Sequence, residues 1–416
     1  MRHAVNVLML TPRLPYPPDR GDKIRSFHEL RYLARRHNVF CATLLEPQDD
    51  PQAVHLLRCY CRDVAAVPVS RVGRLARALA CTGTGRSYTE GYFHSPELAR
   101  VLAEWGRKHW FDAVLAFSGG MARYAELLPA DRRILDLVDV DSAKWRHYGQ
   151  MSRGWRRVLY DREARRLRAR ELQWLRRFDA TVVINSREAA LLQGQASSGR
   201  LHVIPNGVAL PTGPISATAT GPVLGFVGMM NYLPNVDAVL WFVRSIWPAV
   251  RRQVPEARFI VVGRHPDRQI RSLDGIDGVT VTGAVPDVGV YLRQFRACVA
   301  PFRIARGLQN KVLEALAAER PVVASPAGAA GIEPCPVPGL LLADGAEPFV
   351  RHLVALLTQP ELADRLGKTG RAFVAENYRW DDALARLDAL LAGEDEVACT
   401  QSISQKPEAV AQPVGV

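Results

Sequence analysis

The residue types best suited to chemistry follow one another closely between Ala300 and Ile332: Arg303, Arg306, Gly307, Asn310, Lys311 and Glu314. The apolar run Ala297–Ala300 predicts a buried strand. Leu308, Val312, Leu313 and Leu316 predict the inner face of a helix, and Val322 to Ala324 a second strand. Strand, loop, helix and strand make one βαβ unit, which places ligands at the carboxyl ends of its strands. Gly307 at the expected helix start lets a backbone approach closely, and free N–H groups there attract phosphate. Lys311 within the first turn reaches a phosphate as a point charge. Glu314, on roughly the same face, lies too far in to cap the helix and is placed to accept two hydroxyl hydrogen bonds from a ribose. Asn310 adds a neutral polar group, and Arg303 and Arg306 add charge. Together they describe a nucleotide-diphosphate site; a solvated Lys–Glu pair on an amphipathic helix is the competing reading.

Other stretches carry weaker chemistry. Gly21 follows the first expected strand, Val5 to Leu10, after a proline-rich loop, which is where a backbone approaches a ligand or simply turns. Asp139 and Asp141 alternate after the expected strand Arg133 to Val138. They lack the further ligands of a calcium loop and read better as a polar lip contacting a sugar acceptor. Residues 151–177 hold ten arginines against Asp161, Glu163 and Glu171, with Trp155, Leu159, Leu167, Leu172, Trp174 and Leu175 interspersed. Such a helix lies on an anionic membrane or packs its apolar stripe on its own domain. Nucleic acid is the poorer partner, because no aromatic recognition module accompanies the charge.

A chain of 416 residues accommodates two domains, and a net charge of +12 favours anionic partners. No run approaches the ~20 apolar residues of a spanning helix. Seven scattered cysteines argue for reduced thiols in the cytoplasm, and Cys59 and Cys61 are spaced wrongly for a zinc knuckle. Strands alternate with helices to about residue 205, and the pattern restarts at Val223. Between them, residues 211–222 are small, proline-rich and uncharged, as in a linker. The expected architecture is α/β: a doubly wound domain over 1–207 and a second over 208–378, facing a cleft. A helix over 379–392 is placed to cross back to the first domain, and residues 393–416 read as a disordered tail.

Several of these segments together resemble a known family. The early proline/glycine loop before Lys23, Pro205-Asn206-Gly207-Val208, Gly225-Phe226-Val227-Gly228, Val261-Val262-Gly263, Leu313-Glu314-Ala315 and Pro321-Val322-Val323-Ala324-Ser325 are similar to the retaining, group-one (family four) glycosyltransferases of GT-B fold. Gly228-Met229 leading to Pro234-Asn235, with Asn310-Lys311-Val312-Leu313-Glu314, resembles the sugar transferases of exosortase-type exopolysaccharide loci. The resemblance implies a cytoplasmic enzyme, peripheral on the inner membrane, that moves a sugar with retention from a nucleotide-sugar donor to a glycan or lipid-linked acceptor. It implies no metal or other cofactor. Glu314 would hold the ribose, Gly228 would line the diphosphate and Gly21 would face it, with Asn231, Arg303, Gly307 and Asn310 completing the donor site. The sequence departs from the family in two places. Arg306 stands where a glutamate commonly touches the donor sugar, and Met229, Asn231 and Tyr232 stand where a basic pair is usual. Lys311, with Arg306 or Arg303, would then supply the catalytic charge, with Asp141 in place of the family's first-domain histidine. A non-catalytic nucleotide-sugar-binding scaffold and a nucleotide-sugar 2-epimerase are the alternatives.

Overall fold

The computed structural model describes residues 4–193, 200–211, 221–305 and 307–394. Two parallel sheets organise them. The first contains β1 (Asn6–Thr11), β2 (Asn38–Leu45), β3 (Asp63–Pro68), β4 (Phe111–Phe117), β5 (Ala130–Val138), β6 (Ala180–Val183) and β7 (Leu201–Val203). The second contains β8 (Val223–Val227), β9 (Arg258–Val262), β10 (Val279–Gly283), β11 (Ala297–Ala300), β12 (Val322–Ala324) and β13 (Leu340–Leu342). The orders are β3-β2-β1-β4-β5-β6-β7 and β10-β9-β8-β11-β12-β13. Each sheet therefore reverses direction beside its first strand, and in such sheets the crevice at that point takes the ligand.

The apolar runs explain why these sheets are parallel and covered on both sides. Along β1, Val7 and Met9 enter one core while Leu8 and Leu10 enter another. Successive side chains alternate across a strand, so a continuous apolar run requires a layer on each face. The expected α/β architecture is thus the observed one. Sequence patterning missed the short strands β3 and β13 and the helix Ala346–Thr358, and it started the helix after β11 too early. That helix begins at Asn310, so Gly307 lies in the loop before it.

The chain passes between the sheets at two adjacent places. The Val208 amide donates to the Tyr378 carbonyl at 2.8 Å, and Val208 pairs with Arg379 in a parallel bridge. A Cβ on Gly207 would stand 2.4 Å from the Trp380 nitrogen, a separation that only glycine permits. The helix Trp380–Leu391 then buries Leu384, Leu387, Leu390 and Leu391 in the core beneath β1. Residues 212–220 of the expected linker, and the expected tail from residue 395 onward, lie outside the described residues.

The basic segment forms the helix Trp155–Arg177, and its inner stripe packs on its own domain. Ala164, Leu167, Trp174 and Leu175 are buried there. Buried Glu163 accepts the amides of Tyr88 and Thr89, at 2.7 and 2.9 Å, where the short helix Tyr88–Phe93 leaves its first N–H groups unpaired. Arg170 pairs with Glu90 at 2.7 Å. Only the start of the helix is apolar and open: Trp155 is 72% and Val158 66% exposed.

Candidate active site

The site is built where the carboxyl ends of β8 and β11 face those of β4 and β5. From the second domain, the helix Asn310–Ala317 presents three side chains. Lys311 Nζ donates to Asn235 Oδ1 at 2.6 Å and sits 4.7 Å from the centre of the Phe302 ring. Asn235 is held in turn, its amide donating to the Met229 carbonyl at 2.9 Å. Lys311 Nζ would lie 3.2 Å from a Cβ on Gly228, so the glycine, the lysine and Asn235 bound one small space at the end of β8. Burial lowers the Lys311 pKa to about 8, against the pull of Glu314. Glu314 moves the other way, raised by burial.

Glu314 and Asn310 line a cavity of about 380 Å³ together with Val288, Leu292 and, from the first-domain side, Ile24 and His28. The His28 ring stacks on Trp380 with centroids 4.3 Å apart. Burial and the charge of Arg31 lower its pKa to about 4, so it is a neutral ring at physiological pH.

A second cavity of about 350 Å³ adjoins the first, and Asn310 lines both. It holds Gly21, Asp139, Asp141 and Lys144 of the first domain and Gly307 of the second. Backbone strain marks its edge. Ser118 after β4 and Val138 at the end of β5 have φ of 68° and 65°, left-handed values that a β-branched residue rarely adopts. This turns the chain so that Asp139 faces the cleft. Asp139 Oδ1 is buried without a hydrogen-bond partner, and a Cβ on Gly307 would stand 2.7 Å from it. Burial, then Glu188 and Asp141, raise the Asp139 pKa to about 7, with Lys144 and Arg25 opposing. Asp141 is raised by burial against Lys144 and Arg13.

A buried polar chain ties this lip to the helix Asn310–Ala317. Arg25 Nε meets Asp136 at 2.6 Å, and its Nη1 donates to the Ile204 carbonyl and to Asn206 Oδ1, both at 3.0 Å. Asn206 Nδ2 donates onward to Asn310 Oδ1 at 3.0 Å. Glu29 lies 3.0 Å from Arg25, and burial, then the adjacent Asp136, raises its pKa well above the ordinary carboxylate value, with Arg25 opposing.

Of the residues singled out in the sequence, Gly21, Gly307, Asn310, Glu314 and Asp141 line the two cleft cavities, and Gly228 and Lys311 meet beside Asn235 at the end of β8, lining neither. Arg303 does not join them: it is exposed and forms a two-pronged ion pair with Asp237. Asn231 is exposed and lines neither cavity, and Asn235 stands where it was expected. Gly307 approaches Asp139 across the cleft from a loop, where the sequence placed it at a helix start. Arg306 lies outside the described residues. Sequence reasoning passed over Asn235, Asn206 and Arg25 as site residues, although the first two stand in motifs that carried the resemblance. Among the described residues, no group of three or more His, Cys, Asp or Glu is placed to hold a metal ion.

Comparison with known proteins fits this geometry. Residues 221–359, all six strands of the second sheet and most of its helices, match the family model of the group 1 glycosyl transferases. No curated protein sequence matches significantly. Among solved structures, sucrose-phosphate synthase from Thermosynechococcus elongatus superposes with a TM-score of 0.66 at 18% identity, over 94% of this chain and 99% of that one. Anabaena Alr3699/HepE in complex with UDP-glucose gives 0.63 at 15% identity, over 94% and 100%. WaaG, a glycosyltransferase involved in lipopolysaccharide biosynthesis, gives 0.62 at 17% identity, over 93% and 100%. The fold is GT-B. In this GT-B chain the family match covers the domain that carries Gly228, Lys311 and Glu314, and the first domain is similar to known proteins in fold alone. No described helix is long and apolar enough to cross a membrane.

Proposed function

We propose that this chain transfers a sugar, with retention, from a nucleotide-diphosphate donor to a glycan or lipid-linked acceptor in the making of exopolysaccharide or another cell-surface glycan. The observation that carries the reading is the arrangement of Lys311, Asn235 and Gly228 at one strand end, with Glu314 one turn along the same helix. A cation beside a bare backbone suits a diphosphate, and a carboxylate at that spacing suits the two hydroxyls of a ribose. The UDP-glucose bound to the HepE structure supports a nucleotide-sugar donor.

The donor lies along the Asn310–Ala317 helix with its sugar toward the second cavity. Lys311 stabilises the charge that develops on the leaving diphosphate, and Arg306 is a second cation for the same task. The departing phosphate oxygen accepts the proton of the attacking acceptor hydroxyl on the same face of the sugar, which preserves configuration. Asp139 and Asp141 hold hydroxyl groups from the first-domain side, with Asp139 as the stronger candidate because its Oδ1 has no other partner. These cations supply the charge that a metal would otherwise bring, so we expect no metal requirement. The work is done on the cytoplasmic face of the inner membrane, against a lipid-linked acceptor.

Thermal shift with UDP-, GDP-, ADP- and dTDP-sugars tests the donor site. A ligand at ~100 times its dissociation constant adds about 2.7 kcal/mol of stability. One nucleotide series should raise the melting temperature of the wild type and not of Glu314→Ala. No shift with any of them overturns the reading. A shift without transfer to any acceptor leaves the scaffold, for which the substitution at Arg306 speaks, and conversion of the donor without acceptor identifies an epimerase.

A further inference from the structure

The helix Arg71–Ala80 turns its apolar residues outward. Val72, Leu75 and Leu79, at i, i+3 and i+7, are 78%, 56% and 67% exposed, while Arg74 on the opposite face is buried and paired with Glu46 at 2.6 Å. Solubility alone favours the reverse arrangement, so an exposed apolar stripe of this kind marks a surface made for contact. A second apolar group stands beside it. Trp155 and Val158 share a helix face with Arg162, whose guanidinium bonds the Thr82 carbonyl and the Tyr88 hydroxyl. Arg166, one turn on, donates to the carbonyls of Cys81 and Arg86 at 3.1 and 2.7 Å. Both apolar groups therefore flank the segment 81–86. Exposed Arg71, Arg153, Arg156 and Arg157 rim them.

Within the same region lies a cavity of about 260 Å³ lined by Arg77, Arg86, Arg123 and His94. Its one acid, Glu90, is already paired with Arg170 at 2.7 Å. Among the described residues the three arginines form no ion pair, and Arg77 Nε and His94 Nδ1 are buried without a hydrogen-bond partner. Three guanidinium groups converging on one space without a counter-charge make an anion site, and their planar forks suit a phosphate.

We propose that this face docks on a phosphate-bearing lipid bilayer. Val72, Leu75, Leu79, Trp155 and Val158 enter the interfacial layer, the rim arginines meet its negative surface, and a lipid phosphate occupies the cavity among Arg77, Arg86, Arg123 and His94. The inference rests on the membrane placement proposed above and not on sugar transfer, because none of these residues lines either cleft cavity.

Co-flotation of the full chain with vesicles tests it, using phosphatidylcholine alone or mixed with phosphatidylglycerol. The wild type should bind the anionic vesicles at least about tenfold better, as little more than one favourable charge contact would give. Leu75→Glu with Leu79→Glu should cut binding about tenfold or more on the anionic vesicles. Arg86→Gln with Arg123→Gln should weaken binding to both compositions, since both lipids carry the phosphate, while the preference set by the rim arginines remains, and inorganic phosphate should weaken binding of the wild type and not of this variant. Donor-induced thermal shifts measured on the same variants should match wild type, which separates this outcome from any failure of the donor site. Equal binding to both compositions, or anionic binding unchanged in the leucine variant, overturns the proposal. A phosphate-dependent thermal shift lost in Arg86→Gln with Arg123→Gln, with no vesicle binding, overturns it in favour of a soluble phosphate ligand.

Discussion

Asn206 in the first domain donates its side-chain amide to Asn310 in the second at 3.0 Å, and Asn310 borders both cleft cavities. Since Arg25 holds Asn206 from behind, one hydrogen-bonded line connects the first-domain core to the helix Asn310–Ala317. Asn206→Ala, Asn310→Ala and the double variant should show a coupling of about 1 kcal/mol in donor affinity, in a double-mutant cycle read by titration calorimetry. Strict additivity would show that the contact does not operate in solution.

Arg25→Met should lower stability by about 3–5 kcal/mol, because it leaves Asp136 and Glu29 buried without their cation. Chemical denaturation measures this directly. Adding Asp136→Asn to that variant should restore part of the loss, as one uncompensated charge is removed.

Lys311 should make donor binding fall with rising pH. Its pKa near 8 means that the ammonium is lost as pH climbs through that value, while bound diphosphate favours keeping it. Donor affinity should be flat from pH 6 to about 7.5 and decline above. Lys311→Met should bind about tenfold or more weakly, with no such decline, as expected for loss of a hydrogen bond to a charged group.

Asp139→Asn should separate activity from stability. The folded protein raises the Asp139 pKa from 3.8 to about 7, so between those values it holds a proton that the unfolded chain releases. Stability from this group is therefore fully present below the unfolded value and lost as pH rises to about 7. At pH 8 the asparagine variant should be more stable by on the order of 1–2 kcal/mol, allowing for the solvent in the open cleft. Its transfer rate should fall at least tenfold. A variant that is less stable at pH 8 would show that the carboxylate is compensated by groups not counted above.

Periodicity made the two parallel sheets legible, since continuous apolar runs such as Val7 to Leu10 and Ala297 to Ala300 have one common use. The helix Asn310–Ala317 was legible because its apolar face and its Lys311 and Glu314 belong to one local segment. What local sequence does not contain is what approaches from elsewhere. Asp237 claims Arg303 from 66 positions away, and Arg25 reaches Asn206 over 181. Asn235 fills the space expected of Asn231 because a helix turn, invisible as spacing alone, brings it under Lys311. The outward apolar face of Arg71–Ala80 is not legible for a related reason, since amphipathic spacing says that a helix has two faces and not which one is covered.

The paired crossings at Val208 and Tyr378 have a mechanical consequence. A body tethered to another by one strand can swivel about it in any direction. Two strands bonded side by side, with Gly207 pressed against Trp380, leave one easy axis of bending and resist twist. We expect the domains to move chiefly about that axis, opening and closing the gap between Gly307 and Asp139. Glu314, Lys311 and Asn235 lie together on one side of that gap, so under the proposed function we expect a donor held by them to keep its register as the gap narrows.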